Sequence, residues 1–314
     1  MAEHPSEIAD GPDYGAAGAK AATLIEALPW LKRYAGRIIV VKFGGNAMVG
    51  DELKASFAED MAYLRYSGLH PVVVHGGGPQ ISAALKAKGI RSEFRGGYRV
   101  TNTEAITVVR DVLAGEINRE IVDLINVHSS GPHPQLAQGV FGDGRSLFSG
   151  HRKGVVVDGE EYDLGHVGDI TSVDPSSVLE VIDRGLIPVV SSIATDDASE
   201  GALNVNADAA AGALAIALQA AKLIVLTDVA GLYRDWPDRE SLVELISVDE
   251  LRELLPRLES GMIPKMTACL DAVVGGVGGA TIIDGRIPHS ILLEVFTQRG
   301  AGTEVIPNSR KAHL

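Results

Sequence analysis

Apolar residues along this chain fall into two periods that take turns. Ile38–Val41, Val72–Val74, Ile187–Ile193 and Leu223–Thr227 are short, largely apolar runs, the pattern of strands buried on both faces of a sheet. Between them, apolar residues recur at spacings of three and four. Leu53, Phe57, Met61 and Leu64 form one such stripe, and a helical pattern covers Gln80–Lys88. Strand and helix alternate, which predicts right-handed crossovers and a parallel sheet. No linker-like stretch separates the two halves, so one continuous sheet is expected to serve both.

The weaker patterns fill in the remainder. Residues 1–18 are rich in Gly, Ala, Pro and Asp and read as a mobile start. After them Leu24, Leu28 and Leu31 mark an amphipathic helix that Pro29 is set to kink. That stripe must be buried, on this subunit or on a neighbour. Thr101 and Glu104 have capping-box spacing and predict a long helix through Val127; Ser247 and Glu250 repeat the signature. Residues 129–173 break into short β-leaning pieces, such as 154–158, expected as hairpins at the sheet margin. A helix is expected around Ser177–Arg184, and Pro264 suits the first turn of another. Thr281–Ile283 and Glu294–Phe296 read as short final strands.

Composition narrows the class. At 314 residues the chain is long for one core and comfortable for two lobes. With 46% hydrophobic and 22% charged residues it is globular rather than disordered. A formal net charge of −13 argues against nucleic acid or an anionic membrane as partner, but not against a small anion met by local cations. Ala209–Leu226 is apolar but alanine-rich and broken by Lys222, so a buried helix feeding a buried strand accounts for it better than a membrane span. The single cysteine, Cys269, lies in an apolar helical pattern, excludes a disulfide framework and fits a reducing cytosol. The acidic start (Glu3, Glu7, Asp10, Asp13) is unlike a signal peptide, and a cytoplasmic location is expected.

Candidate chemistry gathers where strands end. Val72–Pro79 reads Val-Val-Val-His-Gly-Gly-Gly-Pro, a strand that stops at three glycines before a helix. Backbone N–H groups at such a helix start receive an anion, although the same glycines also serve as a plain tight turn. Lys42-Phe43-Gly44-Gly45 ends the first strand on the same sheet edge, where ligands of parallel sheets bind. Arg99 lies in a glycine-rich basic segment, Asn204 and Asp208 precede the alanine-rich helix, and Lys265 opens a later one. Lysines and glycine amides are the groups that phosphoryl transfer needs. Each has a plainer reading too: Asp208 as a helix cap, Asn204 as a turn residue, Arg99 as a surface ion pair, Lys265 as a solvated lysine. Lys265 would then oppose its helix dipole, a conflict that a ligand would explain. His75 reads as a hydrogen-bonded structural histidine. The P-loop signature, the dinucleotide fingerprint, protein-kinase signatures and metal-ligand spacings are all absent from the sequence.

Taken together, six motifs closely resemble those of the N-acetylglutamate kinases, within the amino acid kinase family. They are Lys42–Met48 (Lys-Phe-Gly-Gly-Asn-Ala-Met), His75–Pro79, Gly97–Thr101 (Gly-Tyr-Arg-Val-Thr), Asn204–Asp208, Thr227–Gly231 and Gly261–Lys265. The resemblance spans roughly residues 19–306. It implies a three-layer αβα sandwich with an open, mainly parallel central sheet and an extra kinked N-terminal helix. It divides the chain into a mobile start (1–18), an oligomerisation helix (19–36), a lobe that binds N-acetylglutamate and dimerises (37–195), and a lobe for ATP (196–314). It also implies ATP-dependent phosphorylation of the N-acetyl-L-glutamate side-chain carboxylate, a step of arginine biosynthesis. ATP is then a co-substrate carrying Mg²⁺ on its phosphates, with no metal held by the protein and no tightly bound cofactor.

Carried over by motif, Gly77 and Gly78 bind N-acetylglutamate through their amides, Arg99 pairs with its α-carboxylate, and Asn204 holds its other end. Gly44 and Gly45 face the phosphoryl group, with Asp228 and Gly231 along the nucleotide. Lys42 and Lys265 neutralise the transition state and Asp208 orients them. The nucleophile is itself a carboxylate, ionised near neutral pH because glutamate titrates near ~4.3, so no general base is required. Arginine-sensitive relatives form hexamers through a kinked helix like that of residues 19–36. Their inhibitor site corresponds to Leu293–Thr297 and Gly300–Thr303, where Glu294 would take the cationic end of arginine near Gly300. Thr281 stands where family members usually carry His, which bears on arginine sensitivity, and Tyr98 replaces a commoner Leu or Phe. Other readings are a kinase for another amino acid or carbamate, a silent arginine-sensing scaffold and, more remotely, a nicotinamide-binding oxidoreductase.

Overall fold

Two helices, α1 (Tyr14–Glu26) and α2 (Leu28–Tyr34), lead the chain into its first strand in a computed structural model that describes residues 14–130, 135–144, 147–157 and 159–311. They join at Ala27, with Pro29 in the first turn of α2, so the expected kink is a break between two helices. Residues 1–13 of the expected mobile start lie outside the described residues, and 14–18 already belong to α1. The alternation follows as β1 (Ile38–Phe43), α3 (Asp51–Tyr66), β2 (His70–His75) and α4 (Gly78–Ala87). A hairpin of β3 (Glu93–Arg95) and β4 (Tyr98–Val100) turns at Gly96 and Gly97, whose φ values of 54° and 84° suit glycine.

The expected long helix is three pieces: α5 (Thr103–Arg110), a π-helical segment (Asp111–Ile117) and α6 (Asn118–Asn126). Its cap is Asn102, which accepts from the Ala105 amide, and not Thr101. Thr101 is instead buried and bridged to Gly165. Then come β5 (Ala137–Val140), β6 (Phe148–Val157), β7 (Glu160–Val173), α7 (Ser176–Asp183), β8 (Ile187–Ser191), β9 (Ile193–Asp196) and β10 (Ala202–Val205). Of the pieces expected at the sheet margin, β5 does form the edge of the main sheet, but the β6–β7 hairpin does not belong to that sheet. β6, β7, β9 and β10 close a separate small barrel, and the 195/196 lobe boundary expected from sequence falls inside β9.

The second half contains α8 (Ala207–Ala217), β11 (Lys222–Thr227), β12 (Leu232–Tyr233), β13 (Leu242–Val243) and β14 (Leu245–Ser247). It ends with α9 (Val248–Leu254), α10 (Ile263–Val274), β15 (Ala280–Asp284), α11 (Ser290–Phe296) and β16 (Gly302–Ile306). Ser247 and Glu250 form the expected capping box. Glu294–Phe296 is the end of a helix rather than a strand, since three apolar-leaning residues do not fix a period.

One eight-stranded sheet unites both halves in the order β14-β16-β15-β11-β1-β2-β8-β5, and only the β15–β16 pair is antiparallel. Alternate residues of β1 feed opposite layers. Ile39, Val41 and Phe43 pack with Met61 and Leu64 of α3, while Val40 packs with Ala211 and Leu214 of α8. The alanine richness of α8 has a steric cause: a side chain at Gly212 would come within 3.1 Å of the Ala268 carbonyl of α10. Among the described residues no helix is long and apolar enough to cross a membrane.

Candidate active site

Three charged side chains from separate elements meet at the carboxyl edge of the sheet. Lys42 near the end of β1 places its ammonium 2.9 Å from one Asp208 oxygen, and Lys265 in the first turn of α10 lies 3.1 Å from the other. Asp208 does not cap α8. Asn206 does so, accepting from the Asp208 and Ala209 amides, which leaves the Asp208 carboxylate for the lysines. Burial alone would raise the pKa of Asp208, but the two lysines outweigh it and hold the carboxyl below its ordinary value. The anion also offsets the unfavourable placing of Lys265 at a helix N-terminus.

Glycines bring the backbone up to these charges. A Cβ on Gly44 would stand 2.9 Å from the Lys42 ammonium, and Gly45 has φ of 67°. Gly76 donates to the Phe43 carbonyl at 3.2 Å, tying the ends of β1 and β2 together. A side chain on Gly77 would collide with Ile117 of the π segment, and Gly78 opens α4. Among the described residues neither the Gly77 nor the Gly78 amide donates to a partner within the chain.

Arg99 faces them from β4. Its guanidinium donates to the Ser92 hydroxyl, to Ser82 Oγ at 2.8 Å and to the Gly78 carbonyl at 3.1 Å, and it lies over the Phe94 ring. All of these partners are neutral. Arg99 is 7% exposed and forms no ion pair among the described residues, so it is a buried cation without a counter-ion of its own. Burial lowers its pKa below the ordinary arginine value. Asn204 on β10 donates weakly to Thr101 Oγ1 at 3.5 Å. A cavity of about 340 Å³ is lined by Lys42, Gly44, Gly45, Gly76–Gly78, Arg99, Asn204, Asp208 and Lys265. Every acyl-substrate and catalytic residue expected from the motifs is therefore in one place.

The remaining expectations are placed elsewhere. Asp228 and Gly231 do not line this cavity, and Gly231 is packed so tightly that a Cβ would meet Thr303 Oγ1 at 2.6 Å. Close behind Asp228 opens a second cleft of about 470 Å³, with Val229, Tyr233, Trp236, Leu258 and Met262 on its walls. Sequence reasoning missed it; the signal was a Tyr and a Trp, Tyr233 and Trp236, close after the Thr227–Gly231 motif. Glu294 and Gly300 are together on the other side of the second half. The Glu294 carboxylate is buried 2.7 Å from Lys222, accepts from the Ala301 amide at 2.8 Å, and would come within 2.6 Å of a Cβ on Gly300. Lys222 also pairs with Glu304 at 3.0 Å, and the Thr281 hydroxyl is buried beside them in the same sheet face with no hydrogen-bond partner among the described residues.

The model of the amino acid kinase family matches residues 37–284. An acetylglutamate kinase from Leifsonia xyli subsp. xyli is 68% identical over 293 residues, 93% of this chain and 95% of that relative. One from Bifidobacterium adolescentis is 61% identical over 290 residues, 92% of this chain and 89% of that relative. Among solved structures, the N-acetylglutamate synthase of Neisseria gonorrhoeae complexed with coenzyme A and N-acetyl-glutamate superposes with a TM-score of 0.78 at 24% identity, over 92% of this chain. This chain spans 63% of the length of that synthase. The carbamate kinase of Giardia lamblia bound to AMP-PNP has a TM-score of 0.61 at 16% identity, over 87% of this chain and 99% of that one, and shares the fold. With so much of its length matched, and matched so closely, the chain belongs to the amino acid kinase family.

Proposed function

We propose that the cavity joins ATP, carrying its Mg²⁺, to the side-chain carboxylate of N-acetyl-L-glutamate and yields the acyl phosphate, a step of arginine biosynthesis. Kinship gives the class of activity: relatives 55–68% identical are acetylglutamate kinases, so the chain is a phosphotransferase. The observation that carries the assignment of the site is Arg99, a buried cation with only neutral partners, across one cavity from the Lys42–Asp208–Lys265 group.

In this reading Arg99 takes the α-carboxylate of the acceptor, the Gly77 and Gly78 amides and Asn204 hold the rest of it, and Gly44 and Gly45 lie under the phosphoryl group. Charge then develops on the transferring oxygens between Lys42 and Lys265, which Asp208 keeps apart and aimed. Each such preorganised donor is worth ~3–4 kcal/mol of barrier. The cleft of Tyr233, Trp236 and Met262 takes the adenine, with Asp228 next in the chain to its lining residue Val229. The lobe of residues 37–195 thus supplies most acceptor contacts and that of 196–314 the nucleotide contacts. The test is hydroxylamine trapping of the acyl phosphate with ATP, Mg²⁺ and N-acetylglutamate. Turnover of aspartate, glutamate or carbamate in its place would favour another kinase of the fold, and no turnover at all would favour a silent scaffold.

Feedback by arginine belongs to the same proposal. Leu24 and Leu28 of the predicted stripe are 63% and 40% exposed while Leu31 packs on the core, so the outer part of the stripe is left uncovered by its own chain, which suits a dimer-based hexamer. Tyr34 of α2 lies within electrostatic reach of Lys222, so the N-terminal helices border the Glu294–Glu304 carboxylates where the cationic end of arginine would dock. These substrates fit a cytoplasmic enzyme.

A further inference from the structure

His75 is fully buried and touches neither the cavity nor any charge, yet its ring is wired into the backbone of the glycine turn. Asn118, the first residue after the π segment, puts its amide nitrogen 2.8 Å from the Val189 carbonyl and 3.1 Å from His75 Nε2. A carbonyl only accepts, so the group facing Val189 is the Asn118 NH₂, and that nitrogen has only protons to offer His75. His75 Nε2 is therefore the acceptor. Burial pushes the pKa of His75 down to about 4, so the ring is neutral and its one proton sits on Nδ1. Nδ1 in turn lies 3.1 Å from the Gly76 carbonyl oxygen and donates to it.

That oxygen shares one planar trans peptide with the Gly77 nitrogen, and in such a unit C=O and N–H point opposite ways. The Gly76 amide is held as well, by the Phe43 carbonyl at 3.2 Å. Behind the turn, Leu113 and Ile117 of the π segment lie flat against Gly77, too close for any side chain there. We infer that Val189, Asn118 and His75 form a relay that fixes the direction of the Gly77 N–H, so that His75 and Asn118 are positioning residues for the acyl substrate that they never touch. The inference rests on the reading that this amide binds N-acetylglutamate. A glycine turn without the relay is free to rotate the peptide between Gly76 and Gly77 and lose the donor.

Calorimetric titration with N-acetyl-L-glutamate, alongside KM for ATP, tests the relay. Removing a hydrogen bond of ordinary strength, about 1.4 kcal/mol, corresponds to a tenfold change. His75→Ala is expected to weaken N-acetylglutamate binding about tenfold while KM for ATP stays within twofold. His75→Asn places an amide nitrogen where Nδ1 stands and should recover most of that affinity, even though it lowers the melting temperature much as His75→Ala does. Asn118→Ala, which keeps the ring but frees its tautomer, should weaken binding severalfold and serves if His75→Ala does not fold. Folded variants that bind as the wild type does, or equal affinities for His75→Ala and His75→Asn, overturn the relay while leaving the functional reading intact. A wild-type protein that neither binds N-acetylglutamate nor forms hydroxamate overturns the reading itself, and the relay with it.

Discussion

Lys42 and Asp208 stand 2.9 Å apart, 6% and 5% exposed, and come from the two halves of the chain. Their pairing does two things at once: it gives a nearly buried cation a counter-ion, and it leaves that cation on the wall of the cavity. Lys42→Ala should therefore lower kcat at least about a hundredfold, with a smaller effect on KM. Asp208→Ala should lower kcat comparably and also reduce the melting temperature, because breaking a buried pair strands a charge at a cost of about 3–5 kcal/mol. Steady-state hydroxamate assays with thermal melts check both. An Asp208→Ala protein as stable and active as the wild type would remove Asp208 from the site.

Arg99 offers a sharper test of the acceptor. Its partners are neutral oxygens, so its charge is available to a carboxylate, and a bidentate pair demands a planar guanidinium. Arg99→Lys should raise KM for N-acetylglutamate about tenfold or more and leave KM for ATP nearly unchanged. Equal rises in both constants would argue that the hairpin, and not the carboxylate, was disturbed.

A titration far from the cavity ties the two halves together. The Asp60 carboxyl of α3 lies 2.7 Å from His289 Nδ1, in the loop before α11, and burial raises its pKa to about 6 although His289 pulls it down. The folded chain thus holds this proton more tightly than the unfolded chain, whose carboxyl titrates near 3.8. The stabilisation from Asp60 is fully present below that value and is lost as the pH rises to about 6. Urea unfolding of the wild type and Asp60→Asn at pH 4, 5.5 and 7 should show the difference moving toward the variant with rising pH. A constant difference would contradict the assignment.

Deletion of residues 1–35 removes α1 and α2, including Tyr34. The truncated protein should form smaller assemblies in light scattering, keep hydroxamate formation, and lose most inhibition by arginine. An unchanged assembly with unchanged inhibition would show that neither property depends on these helices.

Much of this site was legible in the sequence because the rule that ligands bind at strand ends needs only local signals. Lys42, Gly44, Gly77 and Gly78 follow apolar runs, and Asp208 and Lys265 open helices. Competing local signals caused the errors. Thr101 and Asn102 are both competent caps, and the long-range bridge from Thr101 to Gly165 decided for Asn102. Nothing in residues 148–205 announces that four strands will close a barrel, since β6 pairs with β9 and β7 with β10 only in three dimensions. The aromatic cleft of Tyr233 and Trp236 was hidden for a similar reason: its far wall, Leu258 and Met262, arrives some twenty residues later in the chain.

Within the central sheet the seam between the halves is a pair of strands, β1 against β11, paired in register from Ile39–Lys222 to Lys42–Val225. A flexible tether would let the halves swing freely, but a laddered seam resists shear and stretching and yields mainly to twist. Any motion of one half against the other should accordingly be torsional, a rotation about the strand direction at the centre of the sheet. Lys42 sits on that axis and Lys265 off it, so a few degrees of rotation would re-aim Lys265 around Lys42 while leaving the gap between the two cations nearly constant.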